Sequence, residues 1–304
     1  MKYLFGPVPS RRLGLSLGVD LIPLKTCSYD CLYCQIGKTT CRTIEPAAYV
    51  PVEDVIAELG ESLARVKPDY VTFSGSGEPT LHTELDRLIA YVKDRGGAKV
   101  AVLTNGSLLY RPEVRARLLR ADMVMPTLST VNEKTFRAIH QPHDDLTVAR
   151  VIEGLRGLRR SFKGQLFIEI MLLAGINDSE EEIEALRQVI LEIAPDRVQL
   201  NTVVRPPADA KAIPLDSEKL EVIKKAFGER AEIIATAPIG SRQQFKGALP
   251  GAVLEMARRR PVTVQDVARS LDTSLHEVSR TVTSLVKKGE LRKQSHLGKD
   301  YYTA

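Results

Sequence analysis

Residues 17–34 read Leu17-Gly-Val-Asp-Leu-Ile22-Pro-Leu-Lys-Thr-Cys27-Ser-Tyr-Asp-Cys31-Leu-Tyr-Cys34. An apolar run, Leu17–Ile22, leads straight into three cysteines spaced C-x3-C-x2-C. The run predicts a strand, and the cysteines stand on the loop that follows it. Three thiols packed into one short loop point to metal or redox chemistry. A fourth cysteine, Cys41, follows closely, and there is none after it. A disulfide framework staples distant parts of a chain, which this clustering does not do. It suits a reducing compartment.

Outward from this loop, short apolar runs alternate with amphipathic stretches. Strands are expected at Leu17–Ile22, Tyr70–Phe73, Lys99–Leu103, Met123–Leu128, Leu166–Leu172 and Arg197–Val203. Helices are expected at Val52–Val66, Glu84–Arg95, Pro112–Arg120, Val148–Ser161, Ser179–Ile193 and Ser217–Phe227. In the fifth of these helices, Ile183, Leu186, Val189, Ile190 and Ile193 share one face. Asp178 and Ser179 are its cap candidates, and Pro195 helps to stop it. Strands alternating with helices of this length predict parallel βαβ units. Six such units fit a partly closed (β/α)6 barrel over residues 1–240. The unusual residues gather at the strand ends, the face where parallel barrels build their sites.

From about Ser241 the pattern changes. RQQFKGALPG reads as a linker. Helices follow at Ala252–Arg259, Val264–Leu271 and Leu275–Lys288, then two strand-like pieces around His-Leu-Gly-Lys. Three helices and a small hairpin predict a winged-helix (helix-turn-helix) domain at 248–304. This segment carries ten Lys/Arg against six Asp/Glu. Arg280, Thr283 and Lys287 on the third helix, with Arg292, Lys293 and Lys299 on the hairpin, are candidate phosphate contacts. Contacts to a protein, or a lid on the chain's own barrel, are equally open.

The chain has 304 residues with 43% hydrophobic and 27% charged, the balance of a globular protein rather than a disordered or spanning one. No apolar run is long enough to cross a membrane. The N-terminus, MKYLFGPVPSRRLG, lacks the apolar core of a signal peptide, so a cytoplasmic location is expected. The net charge of +5 permits a nucleic-acid partner without requiring one.

Cys27, Cys31 and Cys34 can hold three irons of a cubane and leave the fourth iron open to a small chelating molecule. Zinc, with Cys41 as fourth ligand, is the competing reading. The spacing, with an aromatic residue directly before the last cysteine, resembles the radical S-adenosylmethionine (SAM) superfamily. The likeness covers roughly residues 6–240. GPVPSRRLGLSLGVDLIP and KTCSYDCLYC are similar to the iron–sulfur oxidoreductases related to wyosine-base formation. The resemblance implies an enzyme with a 4Fe–4S cluster and SAM as cofactors. It implies reductive cleavage of SAM to a 5′-deoxyadenosyl radical, which abstracts hydrogen from a substrate such as an RNA base. It further implies a reductant such as ferredoxin or flavodoxin.

Phe73-Ser-Gly-Ser-Gly-Glu78-Pro-Thr resembles the family's glycine–glutamate motif, which holds the methionine amino group. Ser74, Gly75, Ser76, Gly77 and Glu78 are the matching positions, and an ordinary Gly-rich turn is the alternative. Asn105, in Thr-Asn-Gly, and Ser129, ending the fourth strand, match further SAM contacts, an Asn-Gly turn chosen for its backbone preference being the alternative for Asn105. Glu169 interrupts the apolar fifth strand, facing either the site or a structural partner. Asn201 and Asn177 are weaker candidates, Asn177 more simply a helix cap. Arg11, Arg12 and Arg205 can bind an anion, or can be solvated or paired. His140 and His143 can move protons, or can be satisfied by Asp144 and Asp145. Wyosine-forming enzymes carry further cysteines for a second cluster, and here only Cys41 is spare. An iron–sulfur regulator that binds nucleic acid, and an activase that places a glycyl radical on a partner, are the alternatives to the enzyme reading.

Overall fold

The computed structural model describes residues 2–10, 12–235 and 248–304. Arg11 and residues 242–247 of the expected linker lie outside the described residues.

The chain opens with β1 (Leu4–Ser10) and β2 (Gly14–Val19), then two short paired strands, β3 (Thr26–Cys27) and β4 (Cys41–Arg42). There follow α1 (Val52–Arg65), β5 (Tyr70–Phe73), α2 (Leu85–Arg95), β6 (Lys99–Thr104), α3 (Pro112–Leu118), β7 (Met123–Pro126), α4 (Glu133–His140) and α5 (Val148–Ser161). Next come β8 (Gln165–Met171), α6 (Glu180–Ile193), β9 (Arg197–Asn201), α7 (Ser217–Phe227) and β10 (Ala231–Ile233). The last elements are α8 (Leu249–Arg259), α9 (Val264–Leu271), α10 (Leu275–Lys287), β11 (Arg292–His296) and β12 (Lys299–Thr303).

One sheet runs in the order β1-β2-β5-β6-β7-β8-β9-β10. Its strands pair in parallel from β2 to β10, and β1 alone runs antiparallel. The architecture is the expected α/β one with a parallel sheet. Two strands extend it beyond the six expected: β1 at one edge and β10 at the other. Because these two are not neighbours, the sheet is open.

Side chains alternate between two apolar layers. Val100, Val102 and Val124 face the helices and join the large core with Leu59, Leu88 and Leu155. Ala101, Met123, Met125 and Phe167 point the other way and form a separate cluster with Leu13. Burial on both faces is why these strands read as continuous apolar runs. Leu13 lies in the turn after β1, so the β1–β2 hairpin folds its tip into the concave side. The neighbouring Arg12 donates from Nη1 to Glu169 Oε2 at 3.1 Å.

The helix boundaries have local causes. The α6 helix starts at Ser179, whose side chain accepts from Glu182 N, and three glutamates fill its first turn. Asp178, the other cap candidate, instead takes Gly175 N–H and Lys219 Nζ. Asn132 caps α4 and Thr147 caps α5 in the same way.

The last three helices and the β11–β12 hairpin enclose their own apolar cluster, with Val253, Val262, Val267, Val278, Val282 and Leu285 at its centre. This part lies against the β1 edge of the sheet and the segment that follows β9. Helices α8 and α9 touch β1. Across the gap, Tyr301 Oη donates to the carbonyl of Val204 at 2.6 Å, just beyond β9. Arg205 and Asp266 approach to 3.9 Å nearby. Among the described residues no helix is long and apolar enough to cross a membrane.

Candidate functional site

The cysteine loop is pinned by its own backbone. Lys25 O accepts from Thr40 N and Cys41 N, and Asp30 Oδ1 accepts from Thr39 N. Further on, Asp30 N and Leu32 N donate to the carbonyls of His140 and Ile139 at the end of α4. Tyr29 is buried against Phe136 and His140. These ties place Cys27, Cys31 and Cys34 half-buried on one side of the loop and leave Cys41 exposed.

Each of the three sulfurs has a side-chain nitrogen beside it. Asn105 Nδ2 lies 3.5 Å from Cys27 Sγ, His140 Nδ1 3.4 Å from Cys31 Sγ, and Lys25 Nζ 3.2 Å from Cys34 Sγ. Burial pushes the Cys27 thiol up to about 12, and the Glu78 carboxylate adds to the push. Cys31 is raised as well, by burial and then by the charge on Cys27. Three neighbouring thiolates under these conditions need a positive partner, which a bound metal cluster provides. Among the described residues no group of three or more His, Cys, Asp or Glu is arranged around a single metal ion.

The turn after β5 lies directly under this loop. Ser74 N donates to Val19 O, and Ser76 O accepts from Lys25 N. Gly77 must be glycine: a Cβ there would stand 1.9 Å from Thr26 O, one residue before Cys27. Glu78 is buried at the base of the turn. Its Oε1 accepts from Thr80 N, Thr80 Oγ1 and Thr104 Oγ1, and its Oε2 from Asn105 N. Burial raises this carboxyl and the Thr104 and Thr80 hydroxyls pull it back. Glu78 therefore ties the ends of β5 and β6 together, and so orients Asn105. The Asn105 side chain then donates to Ser28 Oγ at 2.8 Å, on the cysteine loop.

The remaining candidates fall into two groups. Ser129 is buried and its Oγ accepts from Met171 N, joining the ends of β7 and β8. Asn177 supports this junction by donating to Ser129 O and Met171 O, so it is a buried bridge rather than a helix cap. Glu169 faces the concave side, where Oε1 accepts from Asn201 Nδ2 at 2.7 Å and Oε2 pairs with Arg12. Gln199 Oε1 also lies within reach of Arg12. Asn201 is the last residue of β9, and Gln199 and Glu169 each stand two residues below the C-terminal ends of β9 and β8. Arg205 reaches Gln35 and Asp266, at the rim.

The two histidines part company. His143 stays near Asp145, as expected. His140 does not pair with Asp144 or Asp145. It is packed among Tyr29, Tyr33 and Phe136, and desolvation lowers it to about 3. Lys25 carries no local signal in the sequence, because its partner Cys34 is brought to it by the fold.

Comparison with known proteins places this geometry. A model of the radical SAM superfamily matches residues 21–187. A UPF0026 protein of Methanocaldococcus jannaschii is 35% identical over 312 aligned residues, covering 99% of this chain and 96% of that one. A protein named GTPase Obg, from Brachyspira hyodysenteriae, is 41% identical over 96% of this chain, which spans only 44% of its length. Among solved structures, TYW1 with a lysine–pyruvate adduct bound is similar at a TM-score of 0.52 and 18% identity, covering 75% of this chain and 76% of that one. This last likeness concerns the fold. With more than half of its residues matched by the family model, and a near full-length relative at 35% identity, the chain belongs to the radical SAM superfamily, enzymes whose cofactors are a 4Fe–4S cluster and S-adenosylmethionine.

Proposed function

We propose that Cys27, Cys31 and Cys34 hold the cluster and that the Ser74–Glu78 turn, with Asn105, holds SAM above it. The observation that carries this reading is the contact of the two segments: Gly77 lies on the Thr26 carbonyl, and Asn105 reaches both Ser28 and Cys27. A ligand on the turn is thereby next to the sulfurs. Cubane ligation takes each thiolate to a different iron, so the sulfurs need not converge on one point as they must for zinc. Cys41, on β4 beside Thr26, is exposed where these three are half-buried.

Bound together, the two cofactors would supply reductive cleavage of SAM and with it radical hydrogen abstraction from the substrate. The chain's residues bind, orient and exclude water. Glu78 and Thr104 hold the turn rigid. Lys25, His140 and Asn105 present N–H groups or a charge toward the cysteine sulfurs. Leu13, Met123, Met125 and Phe167 close the concave side against water from below. Arg12, Glu169 and Asn201 offer the substrate a polar wall. The electron comes from a small one-electron carrier such as ferredoxin or flavodoxin.

Residues 248–304 are read as a separate winged-helix domain, and residues 1–240 as the catalytic one. Support comes from the three helices, the antiparallel hairpin and the independent apolar cluster. The exposed groove on α10, lined by His276, Ser279, Arg280, Thr283, Ser284 and Lys287, contains no carboxylate, which suits a phosphate backbone. An RNA base as substrate is consistent with this and with the wyosine-related sequence likeness.

The test is anaerobic reconstitution followed by dithionite and SAM. The expected outcome is a brown protein that makes 5′-deoxyadenosine, with deuterium transferred into it from the correct substrate. A reconstituted protein that binds SAM but never cleaves it would refute the reading.

A further inference from the structure

Arg259 ends α8 and points out of the C-terminal helices into the edge of the sheet. Its Nη1 donates to Asp20 Oδ2 at 3.2 Å and its Nη2 to the Leu4 carbonyl at 2.9 Å. The guanidinium also covers the Phe5 ring, 4.7 Å from its centroid. Both charged side chains are largely withdrawn from water, with 18% and 10% of their surfaces exposed.

Asp20 stands one residue beyond β2 and also faces the other way. Its Oδ1 accepts from Ser76 N at 3.0 Å and its Oδ2 from Ser76 Oγ at 2.5 Å. Gly75 has φ of +144°, and a Cβ there would stand 2.5 Å from Asp20 Cγ. The carboxylate is thus wedged between Arg259 and the middle of the Ser74–Glu78 turn.

We propose that Arg259 is a positioning residue for SAM, and that residues 248–304 thereby complete the SAM pocket. The proposal rests on the reading of Ser74–Glu78 as the SAM-binding turn. The physical argument concerns Asp20. A nearly buried carboxylate is held in place only while its charge is compensated. Without the guanidinium it keeps two donors from Ser76 and loses its ion partner, so the solvated rotamer becomes competitive and Ser76 is released. The charge-assisted contacts of Arg259 are the stronger kind, and its fork spans two acceptors at once. The attachments of the C-terminal part on the β9 side, Tyr301 to Val204, His296 to Val203 and Asp266 to Arg205, do not touch this turn.

The experiment is calorimetric titration of SAM into the anaerobically reconstituted full chain. Arg259→Ala is expected to weaken SAM binding about fivefold or more, the low end of coupling between linked sites. Arg259→Lys, which keeps the charge but not the second contact, falls between. Combining Arg259→Ala with Asp20→Asn costs less than the sum of the two, since both break one chain of contacts. Tyr301→Phe loosens docking without touching Asp20 and leaves SAM affinity as in the wild type. Iron content and visible spectrum stay constant throughout. An unchanged affinity in Arg259→Ala overturns the proposal, and so does an equal loss in Tyr301→Phe, which would reduce Arg259 to a docking contact. Gly75→Ala separates the two levels. If it abolishes SAM binding while Arg259→Ala does nothing, the relay alone fails; if neither matters, the turn does not bind SAM and both fail.

Discussion

Lys25 Nζ stands 3.2 Å from Cys34 Sγ, and Lys25 is itself buried, with a left-handed φ of 62°. The backbone adopts this conformation while Lys25 N and O hold the Ser76 turn and the Thr40–Cys41 segment. A cation beside a cluster thiolate favours the reduced, more negative state. Lys25→Met is therefore expected to move the cluster's midpoint potential to a more negative value with iron content retained. Redox titration followed by electron paramagnetic resonance measures this, and an unmoved potential would discount the contact.

Single replacement of Cys27, Cys31 or Cys34 by Ala should each reduce bound iron to background after reconstitution. Cys41→Ala should keep the wild-type iron content, because Cys41 is exposed whereas the other three are half-buried. Iron and sulfide assays decide the point. Loss of iron in Cys41→Ala would make it a ligand.

Glu78→Gln puts an amide where four donors expect a carboxylate. At least one buried N–H or O–H is then left facing another donor, at a cost of about 1–3 kcal/mol in folding stability. SAM affinity should fall while iron content holds. Urea denaturation and SAM titration on one preparation give both values. Wild-type affinity in this variant would remove Glu78 from the pocket.

Arg12 and Glu169 are 16% and 15% exposed and pair across the concave side. Glu169→Ala strands the guanidinium there and should cost roughly 2–4 kcal/mol, near the range for breaking a buried pair. Replacing both residues by Met should recover most of the loss. A double-mutant cycle in urea tests this, and additive losses would show the pair to be uncoupled.

His82 is fully buried and satisfied as a neutral ring. Its Nε2 donates to the Val50 carbonyl at 3.0 Å, and its Nδ1 accepts from Glu84 N at 3.2 Å. Desolvation lowers its pKa below the ordinary 6.5. The unfolded chain thus takes up a proton first as pH falls through that value, and the folded chain resists it. Stability contributed by His82 is complete above about pH 6.5 and is lost progressively below it. The urea midpoint should fall between pH 7.5 and 5.5, and less steeply in His82→Asn. Equal slopes would exclude His82 as the source.

The parts of the molecule legible in the sequence are those with local causes. The bounds of β5 and α5 match their apolar patterns residue for residue. The three cysteines and the Ser74–Glu78 turn are each contiguous, so spacing alone marks them. Strand β1 is hidden because Gly6, Pro7 and Pro9 interrupt it, and such a strand survives only at an edge, with the irregularity found between Phe5 and Val8. Strand β10 has three residues, too few for a period to emerge. Lys25, Asp20 and His140 carry no local signature, since what makes them notable is a partner nine to 239 residues away. Asn177 reads as a cap because capping is local, while its actual task, bridging β7 to β8, depends on the sheet.

Asp20 and its partner Arg259 are also separated in time. The ribosome makes about 5–20 residues per second, so the arginine emerges tens of seconds after the carboxylate it neutralises. For most of that interval the nascent chain already carries its cysteines and the glycine turn. A chain broken off in α7 would hold every residue of the family's recognisable motifs and still lack the charge that keeps Asp20 in place.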